Sequence, residues 1–284
     1  MSGGSGRHSH RLDKLWPRTR PVVMGILNCT PDSFADGGRY FDAEHAVRRG
    51  ERMIEDGALI VDIGGESTRP GAEPVSAEEE SRRVLPVIGE LRRRHHDVVL
   101  SVDTSKPEVA AAALEAGADL VNDVTAGSTA GMLELVAASG AAVVLMHMRG
   151  TPRTMQHDLA YRDVVAEVHH HLLERAGAAL EAGVAAHRVW LDPGIGFGKD
   201  DSGNIALLAA LPALATHGYP VVIGPSNKSF IGRLTGAPLE SRLPGTLGAL
   251  IPALALERAV VRVHDPAAAV QFLEIAVRVS EASA

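Results

Sequence analysis

The sequence predicts an α/β fold, a (β/α)8 (TIM) barrel in a single domain, on three observations. Eight short apolar runs alternate with Ala-rich amphipathic stretches. Those runs are continuous rather than alternating, as parallel strands covered on both faces are. The chain has 284 residues, close to the roughly 250 of such a barrel. The competing open, doubly wound sheet would carry a Gly-rich dinucleotide fingerprint after its first strand. Asn28-Cys29-Thr30-Pro31-Asp32 stands there instead.

Residues 1–20 read as a flexible basic tail. Ser2-Gly3-Gly4-Ser5-Gly6 is loose, Arg7, Arg11, Lys14, Arg18 and Arg20 are cationic, and no apolar signal-peptide core is present. The barrel is expected over 21–284. Its strands are expected at 22–27, 59–61, 98–100, 120–121, 142–146, 189–191, 221–223 and 260–261. Between them lie helix signals. Ser76 with Glu79 fits a capping box, and so does Ser105-Lys106-Pro107-Glu108. Asp265-Pro266 is an N-cap followed by proline at the first helical position. Helices are expected to stop at Gly57, Gly117, Gly140, Gly183 and Gly218. The run Glu78-Glu79-Glu80 reads as first-turn charge favoured by the helix dipole.

Composition narrows the function classes. One cysteine, Cys29, excludes an internal disulfide framework and a Cys-rich zinc site. It reads as a small buried residue rather than a nucleophile. Lys and Arg total 28 against 35 Asp and Glu, a formal charge of −7, which argues against nucleic acid as a partner. No apolar run reaches the ~18–20 residues of a membrane span, so a cytoplasmic protein is expected. His169-His170-His171 reads as part of an amphipathic helix, because adjacent helical positions do not face one another and cannot share one metal.

The residues just past the apolar runs carry the chemistry. They are Asn28, Asp62, Asp103, Asn122-Asp123, His147, Asp192, Ser226-Asn227-Lys228 and Arg262-Val263-His264. In a barrel these positions converge on one rim, where active sites lie. Asp103, Asn122, Asp192 and Lys228 offer two carboxylates, an amide and an ammonium, a set suited to a flat heterocycle with an amino-pyrimidine edge. Arg262 and His264 are two apart on a strand and share a face. They precede a helix start whose free N–H groups attract anions, so they read as an anion clamp.

The motifs at these ends closely resemble those of the dihydropteroate synthase family. Residues 24–34 (MGILNCTPDSF) are similar to its opening signature and 62–71 (DIGGESTRPG) to its second. Ser101-Val102-Asp103-Thr104, Asn122-Asp123, residues 146–152 (MHMRGTP), residues 192–199 (DPGIGFGK) and Arg262-Val263-His264-Asp265 follow in order. The resemblance spans Val22 to Val279. It implies a homodimeric transferase that joins 6-hydroxymethyl-7,8-dihydropterin diphosphate to 4-aminobenzoate, giving 7,8-dihydropteroate and diphosphate, in a family targeted by sulfonamides. It implies a pterin site of Asp103, Asn122, Asp192, Phe197, Lys228 and Arg262. Asn28, Thr68, Arg262 and His264 would hold the diphosphate, with Asn28 also meeting a Mg²⁺. Phe34, Thr68, Arg69, Pro70 and Ser226 would form the aminobenzoate pocket, and the loops 30–39 and 67–74 would close over it. Asp103, Lys228, Arg262 and His264 would be the catalytic set. One departure stands out: the family usually carries Ser-Arg-Lys where this chain has Ser226-Asn227-Lys228. Two other readings are a pterin-dependent methyltransferase barrel and a catalytically silent pterin-binding paralogue.

Overall fold

Side chains on a strand alternate between its two faces. Each apolar run therefore offers one row to a barrel interior and one to the surrounding helices. The computed structural model describes residues 10–30, 43–67 and 71–282. Eight strands among these residues close into a parallel barrel in sequence order. They are β1 (Val22–Asn28), β2 (Ile60–Gly64), β3 (Val99–Asp103), β4 (Leu120–Asp123), β5 (Ala142–Met146), β6 (Val189–Asp192), β7 (Val221–Ile223) and β8 (Ala259–Val263). The helices between and after them are α1 (Ala43–Glu55), α2 (Ala77–Arg94), α3 (Pro107–Ala116), α4 (Met132–Ser139), α5 (Val164–Glu181), α6 (Asp201–Ala209), α7 (Leu211–Ala215), α8 (Ser229–Thr235), α9 (Leu243–Gly248) and α10 (Pro266–Glu281). The ladder closes where β1 pairs with β8, Val22 opposite Val260 and Met24 opposite Arg262.

The two rows separate cleanly. Met24, Ile60, Val99, Leu120, Val144, Trp190, Val222 and Val260 pack into the interior. Their neighbours Val23, Val61, Leu100, Val121, Val143, Leu191, Ile223 and Val261 pack outward with Val87, Ile88, Leu91, Val136 and Leu172 of the helices. Both rows are buried, which is why the runs read as continuous.

The expected loose tail does not extend to Arg20. Within the described part, Leu12 and Leu15 are buried to 1% and 3% exposure and belong to the interior cluster. Trp16 meets Trp190 edge-on, with ring centroids 6.4 Å apart. Arg11 donates to Asp119 through Nε and Nη2 at 2.9 and 2.6 Å. Arg188 pairs with Asp13 at 2.9 Å. The segment thus stoppers the N-terminal mouth of the barrel. Two leucines and a tryptophan three and four residues apart were the signal, masked by the surrounding arginines.

Local predictions fare unevenly. Ser76 caps α2 by accepting the Glu79 N–H at 3.2 Å, and Asp265 caps α10 through Ala268. Ser105 does not cap α3. Lys106 is the N-cap, with no side-chain cap bond, because Pro107 fills the first helical position. Glu79 behaves as first-turn charge, paired with Arg82 and Arg83. Glu80 instead turns inward and pairs with Lys106 at 2.5 Å.

Candidate active site

Moving two residues up each interior row keeps the side chain inward. The row then changes from apolar to polar at one level of the barrel. Ile60 is followed by Asp62, Val99 by Ser101 and Asp103, Leu120 by Asn122, Trp190 by Asp192, and Val260 by Arg262. Of these, Asp103, Asn122, Asp192 and Arg262 line a pocket of about 330 Å³ (its open mouth included) together with Val124, Met146, Gly194, Ile195, Phe197 and Gly224. Lys228 sits beside it, its Nζ 3.7 Å from the centroid of the Phe197 ring. The structure therefore brings together the six residues expected around a heterocycle.

Arg262 is tied into this wall rather than standing out as a free anion clamp. Its Nε donates to Asp62 Oδ2 and its Nη2 to Asp103 Oδ2, both at 2.6 Å. Asp62 is fully buried and also accepts from Ser101 Oγ at 2.5 Å and Asn122 Nδ2 at 3.0 Å. A buried carboxylate persists only when its lone pairs are met in this way. Asp62 thus orients two pocket residues at once. Its position at a strand end does not by itself reveal this role. Its signal was the inward parity it shares with Ser101, Asn122 and Arg262.

Burial and neighbouring charge shift the site's titrations. Burial pushes Asp192 up to about 6, against the lowering pull of the Gly194 N–H and nearby cations. Burial also raises Asp103, while Arg262 pulls it down. Lys228 is lowered to about 7 by burial and by Arg262. Burial works against the Arg262 charge too, but Asp62 and Asp103 outweigh it and hold the guanidinium above its ordinary value. Carboxylates pushed up and an ammonium pushed down in one pocket mark a functional site.

The loop after β6 forms one wall. Asp192 Oδ1 accepts the Gly194 N–H at 2.7 Å. Gly194 has φ +67°, and a Cβ there would run into the His147 carbonyl, so only glycine fits. The ammonium of Lys199, 1% exposed, donates to the carbonyls of His147, Gly194 and Phe197 at 3.0, 2.8 and 2.9 Å.

Past β7, Ser226 serves His264. Its Oγ lies 2.9 Å from His264 Nδ1 and accepts the His264 N–H at 3.2 Å. Asn227 adopts a left-handed backbone, φ +58°, which asparagine tolerates better than arginine. Its N–H reaches Thr246 Oγ1, and its carbonyl accepts from Arg242 Nη1 at 3.1 Å. Asn28 ends β1, half-buried. Phe34, Thr68, Arg69 and Pro70 lie outside the described residues. Cys29 is buried and desolvation pushes its thiol up to about 12, so it is no nucleophile. The His169–His171 run holds no metal cluster, and none of three or more His, Cys, Asp or Glu occurs among the described residues. His171 instead packs edge-on against His147 at 5.0 Å.

Known proteins share this arrangement. Residues 24–264 match the family model described as pterin binding enzyme. The chain is 45% identical over 257 residues to the dihydropteroate synthase of Escherichia coli (strain K12), covering 90% of this chain and 91% of that one. A Xanthomonas albilineans dihydropteroate synthase solved with 4-aminobenzoic acid superposes with a TM-score of 0.86 at 49% identity, covering 95% and 94% of the two chains. The complex of the enzyme from the same organism with 7,8-dihydropteroate gives 0.82 at 46% identity, covering 95% of each chain. Among the described residues no helix is long and apolar enough to cross a membrane. A closed barrel whose inward rows turn polar at one rim, matched along nearly its whole length, places the chain in the dihydropteroate synthase family of pterin-binding enzymes.

Proposed function

We propose that this chain is an alkyl transferase that condenses 6-hydroxymethyl-7,8-dihydropterin diphosphate with 4-aminobenzoate to give 7,8-dihydropteroate and diphosphate. The observation that carries the reading is the polar ring of Asp103, Asn122, Asp192 and Lys228 around one small pocket. Paired carboxylates accept the N–H groups of an amino-pyrimidine edge, and the Lys228 ammonium donates to its carbonyl. The flat ring lies in reach of Phe197 and of the Arg262 guanidinium plane.

The methylene C–O bond breaks and its electron pair leaves with diphosphate. The amine nitrogen of 4-aminobenzoate forms the new C–N bond and sheds a proton to solvent. Asp103 and Asp192 keep the dihydropterin oriented and electron-rich as positive charge develops at the methylene. The aromatic amine is largely neutral, so it needs positioning rather than a general base. His264 is suited to the departing diphosphate, whereas at the start of α10 Pro266 has no N–H and Asp265 already takes that of Ala268. Ser226 Oγ at His264 Nδ1 holds the imidazole in one orientation. Thr68 joins this clamp in the reading, and Phe34, Arg69, Pro70 and Ser226 complete the amine pocket.

A Mg²⁺ fits as a companion of the substrate. Magnesium keeps its waters and takes one or two protein oxygens besides phosphate, and the Asn28 amide oxygen is a donor of that kind. When bound it would neutralise leaving-group charge.

The chain also has a face suited to pairing with a second copy. Leu234, Leu239, Ile251, Ile275 and Val279 are each more than half exposed, on α8, the turns around α9, and α10, which pack side by side. Apolar exposure on this scale favours a symmetric dimer.

The test is product identity. The purified protein given both substrates should form 7,8-dihydropteroate, read by chromatography. Tight pterin binding with no product would support the silent paralogue instead.

A further inference from the structure

Lys199 lies one layer behind the pocket and touches none of its open space, yet it is among the largest fully buried side chains of the barrel. Its three ammonium N–H groups are matched by three carbonyl oxygens from two elements: His147 after β5, and Gly194 and Phe197 after β6. Burial pushes its pKa well below the ordinary value, with Lys228 and Arg149 adding to that and Asp192 pulling the other way; three carbonyl acceptors, one for each ammonium N–H, favour the charged form. A buried ammonium so arranged is costly for a purely structural clip, which neutral donors could form. The two loop residues it grips lead into the pocket. Gly194 gives its N–H to Asp192 Oδ1 at 2.7 Å. Phe197 lies under the Lys228 ammonium, and a Cβ on the intervening Gly196 would meet Lys228 Cδ at 2.8 Å.

We propose that Lys199 is a positioning residue for the pterin pocket: it pins the β6 loop to the end of β5 and so sets Asp192 and Phe197 for the ring. This rests on the pterin reading of the site. The charge matters beyond the pin. Lys199 helps keep Asp192 ionised, alongside Lys228 from the β7 loop and Arg262 from β8. Asp103 on β3 faces Lys228 and Arg262. On the β5 side the neighbour is His147, which burial, Lys199 and His171 hold neutral, with its pKa lowered to about 2.

The test titrates the dihydropterin diphosphate, without amine, into wild type, Lys199→Met, Lys199→Gln and Lys199→Arg between pH 5 and 9. Binding by wild type is the control, and its absence would sink the pterin reading rather than this inference. Three carbonyls left unpaired should weaken pterin binding by Lys199→Met about tenfold at pH 7. The acid limb of binding should move to higher pH in the Met and Gln enzymes and stay in place in the Arg enzyme. In turnover, the pterin KM should rise while the 4-aminobenzoate KM stays within about twofold. A folded Met or Gln enzyme with wild-type pterin affinity and an unmoved acid limb overturns the proposal. So does failure of both neutral variants to fold, which would assign the charge to the barrel rather than the pocket.

Discussion

Asp62 shows how much one buried carboxylate can organise. It holds Arg262 by Nε, Asn122 by Nδ2 and Ser101 by its hydroxyl, so pocket geometry depends on a residue that does not line it. Breaking a buried pair costs about 3 to 5 kcal/mol when a charge is left uncompensated. Arg262 keeps Asp103, so Asp62→Asn should sit near the lower end, about 3 kcal/mol by urea denaturation, and should also weaken pterin binding. Unchanged stability and affinity would show that Arg262 and Asn122 hold themselves. The pH dependence of binding follows from the same pocket. Asp192, near 6, can accept paired N–H bonds with both oxygens, and carries its charge, only when ionised, so affinity falls as pH drops through that value. Lys228, near 7, donates as ammonium only below that value, so affinity falls again above it. Pterin titrations should peak between these limits, losing up to about tenfold per pH unit outside them. A flat profile from pH 5 to 9 would contradict the assignment of both groups.

At the scale of elements, the strands were legible because burial on both faces leaves an unbroken apolar run, and all eight were found in place. β5 and β7 also end where expected, while the other six strands run one to three residues further. β2, β3 and β8 continue through Asp62, Ser101, Asp103 and Arg262, since these side chains satisfy one another and the ladder need not stop. The polar residues Asn122 and Asp192 were readable because each stands next to an apolar run, and Asp103 and Lys228 because they lie within five residues of one. Lys199 carries no sequence mark of a buried group, because a lysine among glycines has no periodicity. The stopper at the N-terminal mouth was hidden by its charge. Leu15→Ala should cost about 2 to 5 kcal/mol, as a buried leucine does, read as a fall in the denaturation midpoint. Surface-like behaviour, below about 0.5 kcal/mol, would mean the segment contributes nothing to the barrel.

The whole molecule carries a charge of −7 while its proposed substrates are anions. Attraction must then come from a local field at one rim, from Lys228 and His264 past β7 and β8, since Arg262 is already matched by Asp62 and Asp103. The apolar face across α8, the turn at Leu239, the turn at Ile251 and α10 should make the protein a dimer, and Ile275→Glu with Val279→Glu should give a monomer by light scattering. A wild-type monomer would remove that assignment. Diphosphate release with and without 4-aminobenzoate decides the proposed activity. Release in step with the amine, abolished in Asp192→Ala through loss of pterin binding and strongly reduced in Arg262→Ala, is the predicted result. No release despite pterin binding, or release indifferent to the amine, would contradict it.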